Sequence, residues 1–250
     1  MKLVKVPSSQ GSLEKNIGCE LAPEILCSKE AESVKVIPND LETTEENIYS
    51  KAKEVIKQKP IFVGGDHSIT YSLFKAFSEE FEKPCLLIFD AHADCDVFFK
   101  PVSHQDLNRA VIEENLIEKE RLLIIGLRKV FDVEKPFFKE HKISIISSEE
   151  IHKNFNKAKE QLQKFLGEQK NIYLSIDIDA LDPSIAPGTG YREENGLTKQ
   201  EFFEVLEMVL DSGKVKAADL VEVNPKLDDE GKTIKLGKNI ISIIAEKLGE

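Results

Sequence analysis

Ser175-Ile176-Asp177-Ile178-Asp179-Ala180-Leu181-Asp182-Pro183 is the stretch from which the fold and its chemistry can be read. It sets two carboxylates two residues apart at the end of an apolar run, Ile172–Ile176. A strand turns alternate side chains to opposite faces, so Asp177 and Asp179 are expected to point one way and Ile176 and Ile178 into packing. Two same-facing carboxylates where a buried strand ends are costly unless a cation lies between them. The same arrangement recurs upstream. Leu86-Leu87-Ile88-Phe89 runs into Asp90-Ala91-His92-Ala93-Asp94, with potential ligands at alternate positions, and Ile61-Phe62-Val63 runs into Gly64-Gly65-Asp66-His67-Ser68. Together the three segments read as a two-metal hydrolytic centre.

Short apolar runs alternate with amphipathic stretches along the rest of the chain. Strands are predicted at Leu3–Val6 (within the opening Met1–Pro7), Val34–Ile37, Ile61–Val63, Cys85–Phe89, Leu122–Ile125, Ile143–Ile146, Ile172–Ile176 and Val215–Val221. Helices are predicted at Glu45–Lys57, Ile69–Phe81, Asp106–Asn115, Ser148–Leu166, Lys199–Leu210 and Lys238–Leu248. Ser147 or Ser148 followed by acidic residues, and Thr198 with Glu201 three residues on, are helix-start signals. Alternation of apolar strands with helices implies an α/β fold with a mainly parallel sheet covered on both faces. With no internal repeat and no Pro/Gly/Ser linker, residues 1–250 are expected to form one domain. Parallel sheets gather ligands at the carboxyl ends of their strands. His67, Asp90, His92, Asp94, Asp177 and Asp179 all follow predicted strands, so three strand ends offer donors to one edge.

Composition narrows the function. The net charge of −11, from 34 basic and 45 acidic side chains, argues against nucleic acid, where contacts begin with phosphate neutralisation. It favours small cationic partners. No run approaches the ~18 apolar residues of a membrane span, and Cys19, Cys27, Cys85 and Cys95 lack CxxC pairing. Reduced thiols in a cytoplasmic protein are the expectation.

The segments resemble the signatures of the ureohydrolase family, which holds arginases, agmatinases and formiminoglutamases. Val63–Ile69 matches the first, Leu86–Asp94 the second, and Ser175 through Asp177, Asp179, Pro183, Pro187 and Gly188 to Gly196 the third. Asp219-Leu220-Val221-Glu222-Val223-Asn224-Pro225 matches a fourth, and Gly18–Ile25 is weakly similar to a Gly-x-x-x-Gly-Pro segment. The resemblance implies a three-layer arginase-like fold around two Mn²⁺ ions. One ion would be held by His67, Asp90, Asp94 and Asp177, the other by His92 and Asp179, with Asp90 and Asp177 shared. Four carboxylates and two imidazoles form a hard donor set that suits Mn²⁺ better than a thiolate-seeking metal. The implied reaction is attack of an activated water on a guanidinium or amidine carbon. Asp94 would hold and pass on a proton, Glu222 would pair with the guanidinium, and His104 would shuttle protons at the mouth. Family members usually carry Gly after that histidine, where this chain has Gln105.

For the substrate, the segment Cys95–Ser103 is shorter and more apolar than the polar loop with which arginases read an α-amino acid. That points to agmatine, cleaved to putrescine and urea, with Asp96 attracting the amine tail and Phe98 or Phe99 packing its linker. Arginase activity is an alternative, as is formiminoglutamase activity with Lys100 or Arg192 receiving carboxylates. Tyr191-Arg192-Glu193-Glu194 also departs from the family's usual stretch and is expected to reshape the pocket. A metal-binding relative without catalysis and a mononuclear zinc deacetylase are further readings; the second would leave His67 and Asp94 idle. A homo-oligomer, a trimer or a pair of trimers, is implied by resemblance alone. Asp182 before Pro183 reads as a turn former and Cys95 as a packed thiol, Asp66 is assigned a structural role at least as readily as a functional one, and His141 and His152 are assigned none.

Overall fold

A computed structural model describes residues 2–249; Met1 and Glu250 lie outside them. Eight strands form one sheet: β1 (Lys2–Val6), β2 (Glu32–Ser33), β3 (Pro60–Gly64), β4 (Pro84–Phe89), β5 (Leu122–Ile125), β6 (Ser144–Ile146), β7 (Asn171–Asp177) and β8 (Val215–Val221). Every pairing is parallel, in the order β2-β1-β3-β8-β7-β4-β5-β6. The helices are α1 (Ala22–Leu26), α2 (Leu41–Val55), α3 (Ile69–Glu80), α4 (Leu107–Glu113), α5 (Lys135–His141), α6 (Ser148–Lys153), α7 (Phe155–Glu168), α8 (Lys199–Asp211) and α9 (Lys232–Gly249).

Strand alternation sorts the core into two layers. Ile61 and Val63, Leu87 and Phe89, Leu123 and Ile125, and Leu174 and Ile176 face α7, α8 and α9. Phe62, Leu86 and Ile88, Leu122 and Ile124, and Tyr173 face α2, α3 and α4. Both faces are therefore covered, which explains why these strands read as unbroken apolar runs rather than as alternating ones. The fold is α/β in three layers, and no helix among the described residues is long and apolar enough to cross a membrane.

Several boundaries differ from the sequence expectation for local reasons. Val34–Ile37 is not a strand: the Ile37 amide donates to the Thr44 hydroxyl, and the chain turns into α2, whose first amides are capped by Asp40. The predicted helix from Ser148 to Leu166 breaks at Asn154, whose side chain leaves the helix path to accept from the Lys157 amide and start α7. Capping boxes do form at Ser147/Glu150 and Thr198/Glu201. Short α1 and α5 carried too few periodic positions to be foreseen, and α9 begins six residues before Lys238.

Strand order positions the site. β7 and β8, late in the chain, insert between β3 and β4, so β3, β8, β7 and β4 are neighbours at the sheet centre. Their carboxyl ends lead into His67, Glu222, Asp177 and Asp90 respectively. The loop after β3 is held tightly: the Gly65 amide donates to the Val6 carbonyl, and the Asp66 amide to the Ser8 carbonyl. A Cβ on Gly65 would stand 1.7 Å from that Ser8 oxygen, so only glycine fits. Gly65→Ala is expected to lower stability by about 1–3 kcal/mol, read as a reduced urea midpoint with unchanged slope. An unshifted midpoint would contradict this packing.

Candidate metal centre

Two groups of buried donors meet above the four central strands: His67 with Asp90 and Asp177, and His92 with Asp90 and Asp179. Asp90 joins them. Its Oδ2 lies 3.2 Å from His67 Nδ1, and its Oδ1 lies 3.5 Å from His92 Nδ1. His67 Nδ1 also lies 3.1 Å from Asp94 Oδ2 and 3.4 Å from Asp177 Oδ2, and His92 Nδ1 lies 3.0 Å from Asp179 Oδ2. All six residues predicted as ligands thus converge. One step of the prediction had a different cause. Asp179 is not on the strand: residues Ile178–Ala180 form a 3-10 turn, and the Asp179 amide donates to Asp177 Oδ1 at 2.8 Å. A turn, not strand alternation, brings the two carboxylates together.

The arrangement is one that a cation would complete. The Ser175 hydroxyl donates to Asp219 Oδ1 at 2.6 Å, so its oxygen accepts from His67 Nε2–H at 3.0 Å. That fixes the proton of a neutral His67 on Nε2 and turns Nδ1 toward three carboxylate oxygens, a position that either a proton or a metal ion must fill. Asp219, further fixed by the Thr70 and Tyr173 hydroxyls, is the buried anchor of this relay. His67 Nδ1, Asp90 Oδ2 and His92 Nε2 are buried without hydrogen-bond partners. The donors, oxygens and imidazole nitrogens with no thiolate, match a hard divalent ion.

Electrostatics agrees. Burial would lower the His92 imidazole, but the neighbouring Asp179 and Asp90 carboxylates overcome it and push its pKa up to about 12. His67 is likewise pulled down by burial and lifted well above the usual range by Asp90 and Asp94. Burial, then repulsion from Asp90, raises Asp94 to about 8. Burial, Asp179 and Asp90 raise Asp177 strongly. Asp94 and Glu222 also hold left-handed backbones, at φ 46° and 62°, which side chains other than glycine adopt at a cost. The Gly65 carbonyl, accepting the Glu222 amide at 2.7 Å, and the Asn16 side chain, donating to the Glu222 carbonyl at 3.1 Å, hold one of them in place.

A cavity opens over these donors, lined by His67, His92, Asp94, Asp96, His104, Gln105, Phe131, Glu134, Asp177, Asp179, Thr189, Tyr191 and Glu222. Glu222 accepts from the His67 amide at 2.7 Å and from Asn16, and lies 3.5 Å from His104 Nδ1. His104 Nε2 has no partner. Asp96 lines the cavity, but Phe98 and Phe99 do not: Phe98 packs on the core and Phe99 is 72% exposed. Lys100 pairs with Glu114, and Arg192 donates to the Leu227 carbonyl, so neither lines the cavity. Asp66 accepts from the Gly11 and Ser68 amides, Asp182 from Ser184 and Gly196, and the Cys95 thiol donates to the Ala93 carbonyl; these are structural roles.

Sequence reasoning missed Asn16, Phe131, Glu134 and Arg128, whose neighbours in the chain give no site signal. Half-buried Arg128 has no carboxylate at bonding distance among the described residues. It donates to the carbonyls of Asp179 at 2.6 Å and Glu193 at 2.9 Å, and more weakly to Gly126, Ala180 and Leu181, tying the Asp179 turn to the loop that carries Tyr191.

Comparison with known proteins bears on the whole chain. The sequence model described as the Arginase family matches residues 8–245. An arginase of Bacillus subtilis (strain 168) is 28% identical over 223 residues, 82% of this chain and 74% of that protein. A guanidinobutyrase of Pseudomonas aeruginosa is 34% identical over 187 residues, 73% of this chain but only 58% of that protein. The crystal structure of Bacillus subtilis arginase superposes with a TM-score of 0.84 at 25% identity, covering 100% of this chain and 98% of that one. Formimidoylglutamase from Bacillus subtilis shares the fold with a TM-score of 0.90 at 23% identity, covering 99% and 86%.

Ions and protons compete for these donors. The imidazole and carboxyl protons held above neutral pH by the surrounding charge must leave as a cation enters. Adding Mn²⁺ to chelator-stripped protein at neutral pH is therefore expected to release protons, and affinity is expected to fall as pH is lowered. Calorimetry in two buffers of different ionisation enthalpy measures this; heats independent of the buffer would refute it.

Proposed function

The chain belongs to the arginase family, and we propose that its substrate is a linear guanidine with a second positive charge at the far end, agmatine being the first choice, cleaved to putrescine and urea. The observation that carries this reading is the cavity lining. Six carboxylates line it (Asp94, Asp96, Glu134, Asp177, Asp179 and Glu222), and among the described residues no lysine or arginine does. With Asp94, Asp177 and Asp179 assigned to the metal ions, Asp96 and Glu134 remain beside Glu222, so a second positive charge would be favoured there, and a ligand carboxylate would find no lysine or arginine to pair with. Arginine, guanidinobutyrate and formiminoglutamate all bear carboxylates, and Lys100 and Arg192, the cations considered for formiminoglutamate, are engaged elsewhere.

In this reading His67, Asp90, Asp94 and Asp177 would hold one Mn²⁺, and His92 and Asp179 would hold a second together with Asp90 and Asp177. When bound, the two ions would lower the pKa of water enough to provide a nucleophile at neutral pH and would neutralise the buried carboxylates. Glu222, fixed on three sides, presents its carboxylate to the planar guanidinium and orients the carbon for attack. Water adds to that carbon, Asp94 takes a proton from it and passes one to the alkyl nitrogen, and the C–N bond breaks to release amine and urea. His104, with Nε2 unpartnered at the cavity, exchanges the remaining proton with solvent. Residues 1–250 act as one catalytic unit, since the donors come from β3, β4, β7 and β8.

A panel with added Mn²⁺ tests this. Agmatine is expected to exceed arginine, guanidinobutyrate and formiminoglutamate in kcat/KM by at least about tenfold, the discrimination a few well-placed contacts supply. A faster carboxylate-bearing substrate would overturn the choice of agmatine. His104→Ala is expected to lower kcat by about 10²-fold or more and alter the pH profile; turnover unchanged across pH would remove His104 from the mechanism.

A further inference from the structure

Exposure orders the cavity from floor to rim. The ligand candidates, His104 and Glu222 are buried, whereas Asp96, Gln105 and Tyr191 are half-buried and Phe131 is 38% exposed. The rim residues are linked. The Asp96 amide donates to the Gln105 carbonyl at 3.0 Å, and Gln105 Nε2 donates to the Tyr191 hydroxyl at 3.0 Å. That second bond holds the Tyr191 ring beside both imidazoles of the site, 5.4 Å from the His92 ring and 5.6 Å from the His104 ring. Phe131 lies parallel to His92, 6.2 Å away with 3° between the planes. A chain rising from the floor must pass these two aromatic faces.

We propose that Gln105 and Tyr191 set substrate shape: Gln105 is a positioning residue that holds the Tyr191 ring across the mouth, and the held ring admits an unbranched chain while turning away one branched at its outer end. This rests on the reading of the cavity as a guanidine site. It differs from that reading in mechanism, because the carboxylates discriminate by charge and the ring by width. A tyrosine hydroxyl bonded at its tip cannot swing about its first side-chain torsion without losing the bond. The ring's apolar face can meanwhile lie along methylenes and against a terminal ammonium. Released, the ring gains rotamers that widen the entrance.

Below about pH 7, where its α-amine stays protonated, argininamide isolates width from charge, since it then carries a guanidinium and an ammonium as agmatine does, with a branch and no carboxylate. Urea release from both is measured with manganese-loaded wild type, Gln105→Leu, Tyr191→Phe and the double variant. Calorimetric binding of the corresponding diamines, putrescine and ornithinamide, is measured alongside because they cannot be turned over. Wild type is expected to prefer the unbranched member of each pair by about tenfold. Each single variant should lower that preference by a similar factor, and the double variant no further than either single, as for two ends of one bond. The preference of agmatine over guanidinobutyrate should move less than about twofold, being set by charge. An unchanged branched-to-unbranched ratio, or single effects that multiply in the double variant, would overturn the proposal. Failure of every guanidine to react would refute the catalytic reading and leave the diamine ratios to decide the rim; failure of both diamines to bind would overturn the rim proposal as well.

Discussion

Five carboxylates buried at the centre of one sheet edge, with only imidazoles between them, are the constraint on which the rest of the structure depends. Asp90, Asp94, Asp177, Asp179 and Glu222 are nearly solvent-free, and like charges at such distances repel strongly where water cannot screen them. Protons taken up by the cluster, or cations bound within it, relieve this. Much of the surrounding structure exists to hold the donors against that repulsion: the Asp219–Ser175 relay behind His67, the Asn16 and His67 amide contacts on Glu222, and the left-handed backbones of Asp94 and Glu222. Interactions of this kind orient ligands and tune the ion they hold.

The same constraint extends outward to selectivity. The cavity is walled largely by carboxylates and rimmed by two aromatic rings, and among the described residues no lysine or arginine lines it; its neutral donors are Gln105, Thr189 and Tyr191. Half-buried Arg128 donates to backbone carbonyls and so contributes shape rather than a charged contact to a substrate. It also ties the Asp179 turn to the Tyr191 loop, joining the floor of the cavity to its rim.

Topology explains why donors so far apart in the chain come together. β3 and β4 follow one another in sequence but lie three places apart in the sheet, and β7 and β8 fill the interval. The site is therefore completed only when the last third of the chain docks. A parallel sheet sends all of its carboxyl ends to one edge, so the convergence needs no further device.

Legibility followed physical range. Apolar runs such as Leu122–Ile125 and Val215–Val221, and ligand pairs held two residues apart by local geometry, could be read from the chain because their causes are local. The α/β class, the six converging donors and the role of Asp182 came from that source. Resemblance to a family added Glu222 and His104, which no periodicity or spacing marks. Tertiary packing alone decided the rest. Asp179 reaches its partners through a turn rather than along a strand, Phe131 rather than Phe98 or Phe99 walls the cavity, and Lys100 and Arg192 are spent on Glu114 and Leu227. Gln105 meets Tyr191 across 86 residues of chain. The chain by itself determined which chemistry was present, because donor type and strand-end spacing are properties of neighbouring residues; which side chains surround that chemistry was settled by contacts between segments that no neighbour in sequence specifies.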